Sequence, residues 1–269
     1  MKIYRLFIVL VVFHLADSSN IYGQSAKEIR QNKRAERKAN TKKYRSPIMV
    51  YPVYWGIQDT RTTPGVYRVL GGGAAIRMMR IAPKYRLEHN GQFNFGLGRP
   101  NFENGAIQYN TQFLFETHYL RPYKESFFIG LHASGLQVSR ITPALSNSSF
   151  ASDAAFGIGP AIRWTDQVNL LKKETEISLT LGVPFISYVN RVPEFGLSFS
   201  GTNSFIAPIG RFNKLSFRID AKRQHKKSTE NTINYFYRWE YYGMEEFDGL
   251  HNLRLASHQI GFHLWIKRN

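Results

Sequence analysis

A chain of 269 residues without a single cysteine has room for one large β domain or two ordinary ones. The missing thiols exclude a disulfide scaffold, a thiolate zinc site, a thiol nucleophile and a lipid-modified N-terminal cysteine. With 36 Lys and Arg against 19 Asp and Glu, the formal charge of +17 points to an anionic partner: lipid headgroups, acidic glycans or nucleic acid.

The first element in the chain is an export signal. Met1-Lys2-Ile3-Tyr4-Arg5 is a short basic n-region, and Leu6 to Leu15 is an apolar run too short to span a bilayer as a helix. A polar stretch then leads to Gly23, a small residue suited to the position before a signal-peptidase cut. Residues 1–23 therefore read as a cleaved signal peptide. Residues 24–46 are a basic polar tail. Between Gln24 and Arg45, nine Lys or Arg stand against two Glu, which is +7 of the total charge. Lacking an apolar stripe, this segment reads as a solvated tail or a loose polar helix. Export also takes the chain away from nucleic acid.

Residues 47–269 are dominated by a period of two. Alternating segments fall near 69–81, 85–98, 108–119, 125–139, 155–164, 176–185, 194–201, 214–222, 231–242 and 257–267. In the third of these, Tyr109, Thr111, Phe113, Phe115, Thr117 and Tyr119 interleave with Gln108, Asn110, Gln112, Leu114, Glu116 and His118. A strand places the two sets on opposite faces, one largely aromatic and one largely polar. Pro-, Gly- or Asn-rich pieces separate the segments: Arg99 to Gly105, Arg121 to Lys124, Thr142 to Ser149 and Gly201 to Asn203. No strong helical run interrupts them, and no segment after the signal is apolar enough for a transmembrane helix.

Segment length chooses between architectures that share this alternation. Globular strands run to about 5–6 residues, whereas a tilted strand crossing an outer membrane needs about 9–11. The fold class is thus all-β: an antiparallel transmembrane β-barrel of about ten strands, with a range of about 8–12. Its apolar faces meet lipid, with Tyr119, Trp164, Tyr188 and Tyr241 in aromatic girdles near strand ends. Its lumen takes Arg86, Glu88, Glu116, Arg163, Arg218, Asp220, Arg238 and Glu240, charges that pair across a narrow interior and help fill it. The stretch Asn234 to Tyr242 shows the division: Tyr235, Tyr237, Trp239 and Tyr241 share one face, while Arg238 and Glu240 share the other.

With its signal peptide, long alternating strands and terminal strand from Ser257 to Lys267, the chain resembles the outer-membrane β-barrel proteins of Gram-negative bacteria. The resemblance is generic and covers about residues 50–269. It implies a periplasmic tail, a place in the outer membrane, and recognition of Phe262, Leu264 and Ile266 by the barrel-assembly machinery. The chain departs from the usual aromatic end by closing on Lys267-Arg268-Asn269.

Local chemistry offers one lead. His132 and Ser134 share a strand face, similar to the H-x-S arrangement of outer-membrane phospholipases and lipid A deacylases. That likeness implies His132 as base and Ser134 as nucleophile, with Asn147 or Glu116 as orienter. The bland reading is two interior strand residues satisfied by neighbours. His258 and His263 point to opposite faces and do not chelate a metal. Gly71-Gly72-Gly73 lacks the Lys-Ser/Thr ending of a phosphate loop and marks a bend or tight packing. Glu245, Glu246 and Asp248 read as a solvated loop rather than a calcium site, and the sequon Asn147-Ser148-Ser149 as chance. No cofactor or metal is expected.

The leading functional expectation is a non-enzymatic outer-membrane barrel acting as scaffold, surface-interaction module or narrow passage, with outer-membrane lipid as partner. The alternatives are an acyl-ester hydrolase using His132 and Ser134, and a soluble secreted β-sandwich binding acidic glycans.

Overall fold

The computed structural model describes residues 26–60, 63–100, 106–143, 150–192, 203–224, 231–245 and 252–268. The signal segment, the stretch 194–201, the sequon at Asn147, and Glu246 and Asp248 lie outside them. Residues 1–41 form a unit of their own. Within it, helix α1 (Ala26–Ala39) is built from Ala, Lys, Arg, Glu and Gln, all good helix formers. Asn40 N donates to Glu36 O at 2.9 Å at its end. Of the two expectations for the basic tail, the polar helix is the one observed here.

The second unit, residues 42–269, is one antiparallel sheet. Its strands are β1 (Lys42–Asp59), β2 (Thr63–Ala82), β3 (Tyr85–Pro100), β4 (Gln108–Lys124), β5 (Phe127–Ile141) and β6 (Phe150–Leu170). They continue with β7 (Lys173–Gly182), β8 (Ile186–Val192), β9 (Asn203–Pro208), β10 (Phe212–Gln224), β11 (Thr232–Glu245) and β12 (Asn252–Arg268). β12 pairs with β1 and β5 with β6, so the sheet closes on itself.

Twelve strands make ten staves. β7 and β8 lie end to end along β6, and β10 and β9 lie end to end on their far side. The break falls at Val183-Pro184-Phe185, where proline has no N–H to give the ladder. Its neighbours still bond across: Val183 N to Pro160 O at 3.2 Å and Phe185 N to Ile158 O at 2.8 Å. Closure of the ring through β5 and β6 excludes a two-sheet sandwich, and the short β9 pairs with β8 alone among the described residues.

The first stave was invisible to alternation for a physical reason. On β1, Met49, Tyr51, Val53, Trp55 and Ile57 point inward while Ile48, Val50 and Tyr54 point outward, so both faces are apolar and the period of two disappears. β1 also starts at Lys42 rather than after Ser46, because Lys43 to Arg45 pair with both β2 and β12. A second correction concerns Arg121 to Lys124. This stretch is the end of β4, with Arg121 opposite Ile129 and a register shift after Pro122, and the turn is Glu125-Ser126. A bulge at a strand end accommodates the proline.

The two ends of the barrel differ. One end carries the start of β1, the end of β12, the connection 225–231 and the tight turns Pro83-Lys84, Glu125-Ser126 and Leu171-Lys172. The last has φ of 52° and 59° at its two residues, as a two-residue hairpin turn requires. The other end carries the connections 60–62, 101–107, 142–149, 193–202 and 246–251. Short turns at one end and longer loops at the other are the asymmetry of outer-membrane barrels. Below, these are the turn end and the loop end.

The wall is inside out relative to a water-soluble domain. Val50, Leu70, Leu131, Ile206 and Phe262 are among the most exposed side chains, from 66% to 79%. Arg, Glu, Asp, His, Asn and Gln side chains are buried inside, beside an apolar group that includes Trp55, Ile57 and Leu255. Such an exterior suits a lipid solvent, where burying polar groups inside costs nothing extra if they pair.

Candidate functional site in the barrel interior

Each inward charge is placed by strand parity, and the closed ring then brings distant staves within reach. Toward the turn end, Glu88 on β3 accepts from Arg86 Nε at 2.9 Å, Arg163 Nη1 at 2.8 Å and Arg218 Nη2 at 2.6 Å. Asp220 on β10 accepts from Arg218 Nε at 2.7 Å, Arg77 Nη1 at 3.2 Å and Asn234 Nδ2 at 2.7 Å. His263 Nε2 lies 2.8 Å from both Arg77 Nη1 and Asn234 Nδ2.

At mid-height, Glu116 on β4 is the hub. Lys214 Nζ approaches its Oε1 at 3.0 Å, Arg238 engages its Oε2, and His132 Nε2 lies 3.3 Å from Oε1. Arg238 also reaches Glu240 at 2.5 Å, and Gln259 Nε2 donates to Glu240 at 3.3 Å. The His118 and His132 rings stack at 4.7 Å.

Toward the loop end, Arg140 on β5 pairs with Asp59 at 2.6 Å and with Asp153, and Arg191 Nε reaches Asp153 at 2.8 Å. An apolar group packs beside these ions: Leu136, Val138, Phe212, Tyr242, Leu253 and Leu255. The cavity left among them measures about 10 Å³, no more than one water needs. A larger groove of about 510 Å³ involves the outward Phe113, Phe115, Phe156 and Tyr188 and so opens on the lipid face.

All six lumen charges read from the sequence, Glu116, Arg163, Arg218, Asp220, Arg238 and Glu240, are at most 5% exposed and turned inward. Periodicity passed over Arg77, Lys214, Asp59, Arg140, Asp153 and Arg191. Lys214 shares a face with Arg218 and was legible as such; Asp59 depended on the unseen β1. Tyr119 and Trp164 stand near the turn end on the outer face, and Tyr188 is exposed toward the loop end.

The His132–Ser134 lead resolves into something else. His132 Nδ1 has no hydrogen-bond partner, so it makes no bond to Ser134. That nitrogen faces Gly182, whose added Cβ would lie 2.8 Å from it. Both residues are buried, His132 at 0% and Ser134 at 3%. Glu116 does sit on His132, yet its oxygens serve Lys214 and Arg238 as well. Glu116, His118 and His132 bring one ligand-type atom each within 4.8 Å of one another. A dication there would meet Lys214 and Arg238 already on both carboxylate oxygens, so the trio belongs to the ion-pair network. His263 is buried while His258 faces outward, where the Tyr237 hydroxyl lies 2.9 Å away. The glycine run lies on β2, where a Cβ on Gly71 would fall 2.0 Å from Phe95 O and one on Gly73 would strike Asn94 and Tyr51.

No family model and no curated protein matches the chain. Among solved structures, it is similar to the outer membrane protease OmpT of Escherichia coli at 8% identity and TM-score 0.49, covering 84% of this chain and 97% of that one. The translocator domain of the autotransporter NalP of Neisseria meningitidis gives 8% and 0.38, covering 91% and 99%. The β domain of the Bordetella autotransporter BrkA gives 8% and 0.35, covering 80% and 98%. Similarity at this level carries no argument about activity. The closed antiparallel ring, the apolar exterior and the paired polar interior are themselves the fold of an outer-membrane β-barrel.

Proposed function

We propose that this chain is a non-enzymatic scaffold of the Gram-negative outer membrane, exported by a signal peptide cleaved after Gly23 and sealed by its own side chains. The observation that carries this reading is cross-lumen pairing. Glu116 and Arg238 stand five places apart around the ten staves, as do Glu88 and Arg218, and both pairs meet. Ion pairs spanning the diameter block solute passage, and they hold the wall rigid. Of the roles open to such a barrel, membrane scaffold and presentation of the loop end to partners then fit better than conduction. Outer-membrane lipid surrounds the wall, and assembly rests on the barrel machinery reading the terminal strand through Phe262, Leu264 and Ile266. A catalytic role for His132 and Ser134 lacks the bond that would activate the serine.

Fractionation and planar-bilayer recording test the proposal together. The protein is expected only in detergent extracts, with heat-modifiable gel migration and no steady conductance. Release without detergent, or regular conductance steps from the folded protein, would overturn it.

A further inference from the structure

Among the described residues, two sets of cations differ in their partners. Those in the lumen are matched to carboxylates. Those on the outer face of β1, β2 and β4 at the turn end are not: among the described residues, Lys43, Arg45, Arg80 and Arg121 are exposed and form no ion pair with a carboxylate. Register puts them on one level. Lys43 is opposite Arg80, Arg80 opposite Leu87, and Leu87 opposite Tyr119, so all four side chains leave the same face. Tyr85 and Arg121 follow two residues away from Leu87 and Tyr119, on that face too.

Within this row four groups form a stack. The rings of Tyr85 and Tyr119 lie 5.7 Å apart at 26°. The Arg80 guanidinium sits 5.8 Å from the Tyr85 ring, and the Arg121 guanidinium 5.6 Å from the Tyr119 ring. Arg121 Nε also donates to Tyr119 Oη at 3.1 Å, which fixes its plane. Both guanidiniums lie over the tyrosine pair, and the Arg121 Nε bond to Tyr119 leaves its two Nη groups to meet a further acceptor. Edges of two guanidiniums match the oxygens of a phosphate, and tyrosine is at home at headgroup depth.

We propose that this patch binds the phosphate headgroup of an anionic phospholipid, clamped by Arg80 and Arg121 over the Tyr85–Tyr119 stack and assisted by Lys43 and Arg45. The inference rests on the membrane reading above. Tight turns mark the periplasmic end of an outer-membrane barrel, so the patch faces the leaflet interface there. A basic cluster at a headgroup surface gains roughly a factor of five in binding per cation.

The test is native mass spectrometry of the folded barrel extracted from bilayers of phosphatidylglycerol mixed with phosphatidylcholine. The wild type should retain phosphatidylglycerol over phosphatidylcholine, and Arg80→Gln/Arg121→Gln should lose that retention about tenfold or more. Lys172→Gln/Lys173→Gln, at the turn after β6, should retain it fully. Equal retention of both lipids by the wild type, or undiminished phosphatidylglycerol on the arginine variant with heat-modifiable migration intact, overturns this inference alone. Failure of the wild type to insert into bilayers overturns it together with the membrane reading. Should the double variant fold poorly, Arg80→Lys and Arg121→Lys singly should each show partial loss, and full retention by both counts against the clamp.

Discussion

Arg238 on β11 and Glu116 on β4 form an ion pair although four staves separate them on either side of the ring. No sheet neighbour connects them; only the curvature of the closed wall does. Their pairing therefore reports closure itself, and Glu116 is the point where two cross-lumen contacts, from Arg238 and Lys214, converge.

Removing that carboxylate should be costly. Glu116→Gln strands Lys214 and leaves Arg238 with Glu240 alone, and losing one partner of a buried pair typically costs about 3–5 kcal/mol. Urea unfolding followed by heat-modifiable migration measures it. A cycle with Arg238→Gln should give a coupling of about 0.5–3 kcal/mol; strictly additive losses would show that the two groups do not interact.

Two glycines should respond oppositely to alanine. At Gly71 the new Cβ would sit 2.0 Å from the backbone oxygen of Phe95, forcing β2 from β3. We expect a loss of at least about 1–3 kcal/mol, the usual range for overpacking. Gly91 has nothing within 4 Å of its added Cβ. Gly91→Ala should be neutral or stabilising by about 0.5–1 kcal/mol, the backbone entropy that glycine otherwise loses. The same unfolding assay compares them.

Trp55 is 1% exposed in the lumen and packs with the inward apolar side chains of β1. Trp55→Ala should lower stability by about 3–5 kcal/mol through the cavity it leaves. It should open no channel, because the ion-pair layers remain. Bilayer recording of the folded variant decides this, and steady conductance would count against the layered seal.

Ser134 makes no bond to His132, so acyl-ester cleavage should not depend on it. Purified wild type and Ser134→Ala should give the same background on phospholipid and lipid A substrates. A wild-type activity abolished by the substitution would restore the hydrolase reading.

Much of the wall could be read from the chain because strand parity is a local rule. The row Tyr235, Tyr237, Trp239 and Tyr241 faces outward and Arg238 and Glu240 inward, as alternation alone requires. The rule failed where chemistry did not alternate. β1 is apolar on both faces, and Arg121 to Lys124 carries turn-like residues inside a strand. Proline likewise split one long stave at Pro184.

By itself, then, the sequence determined the class of fold, the near count of staves and which charges turn inward, since each follows from side-chain period and segment length. Tertiary structure alone decided who meets whom. Glu116 with Arg238 and Glu88 with Arg218 are contacts across a diameter, and Arg140 with Asp59 is a contact between staves four places apart, all set by stave number and curvature rather than by spacing along the chain. His132 shows the difference most plainly: its spacing to Ser134 suggested a dyad, while the pairing of β4 with β5 sets it on Glu116, which the ring then ties to Lys214 and Arg238.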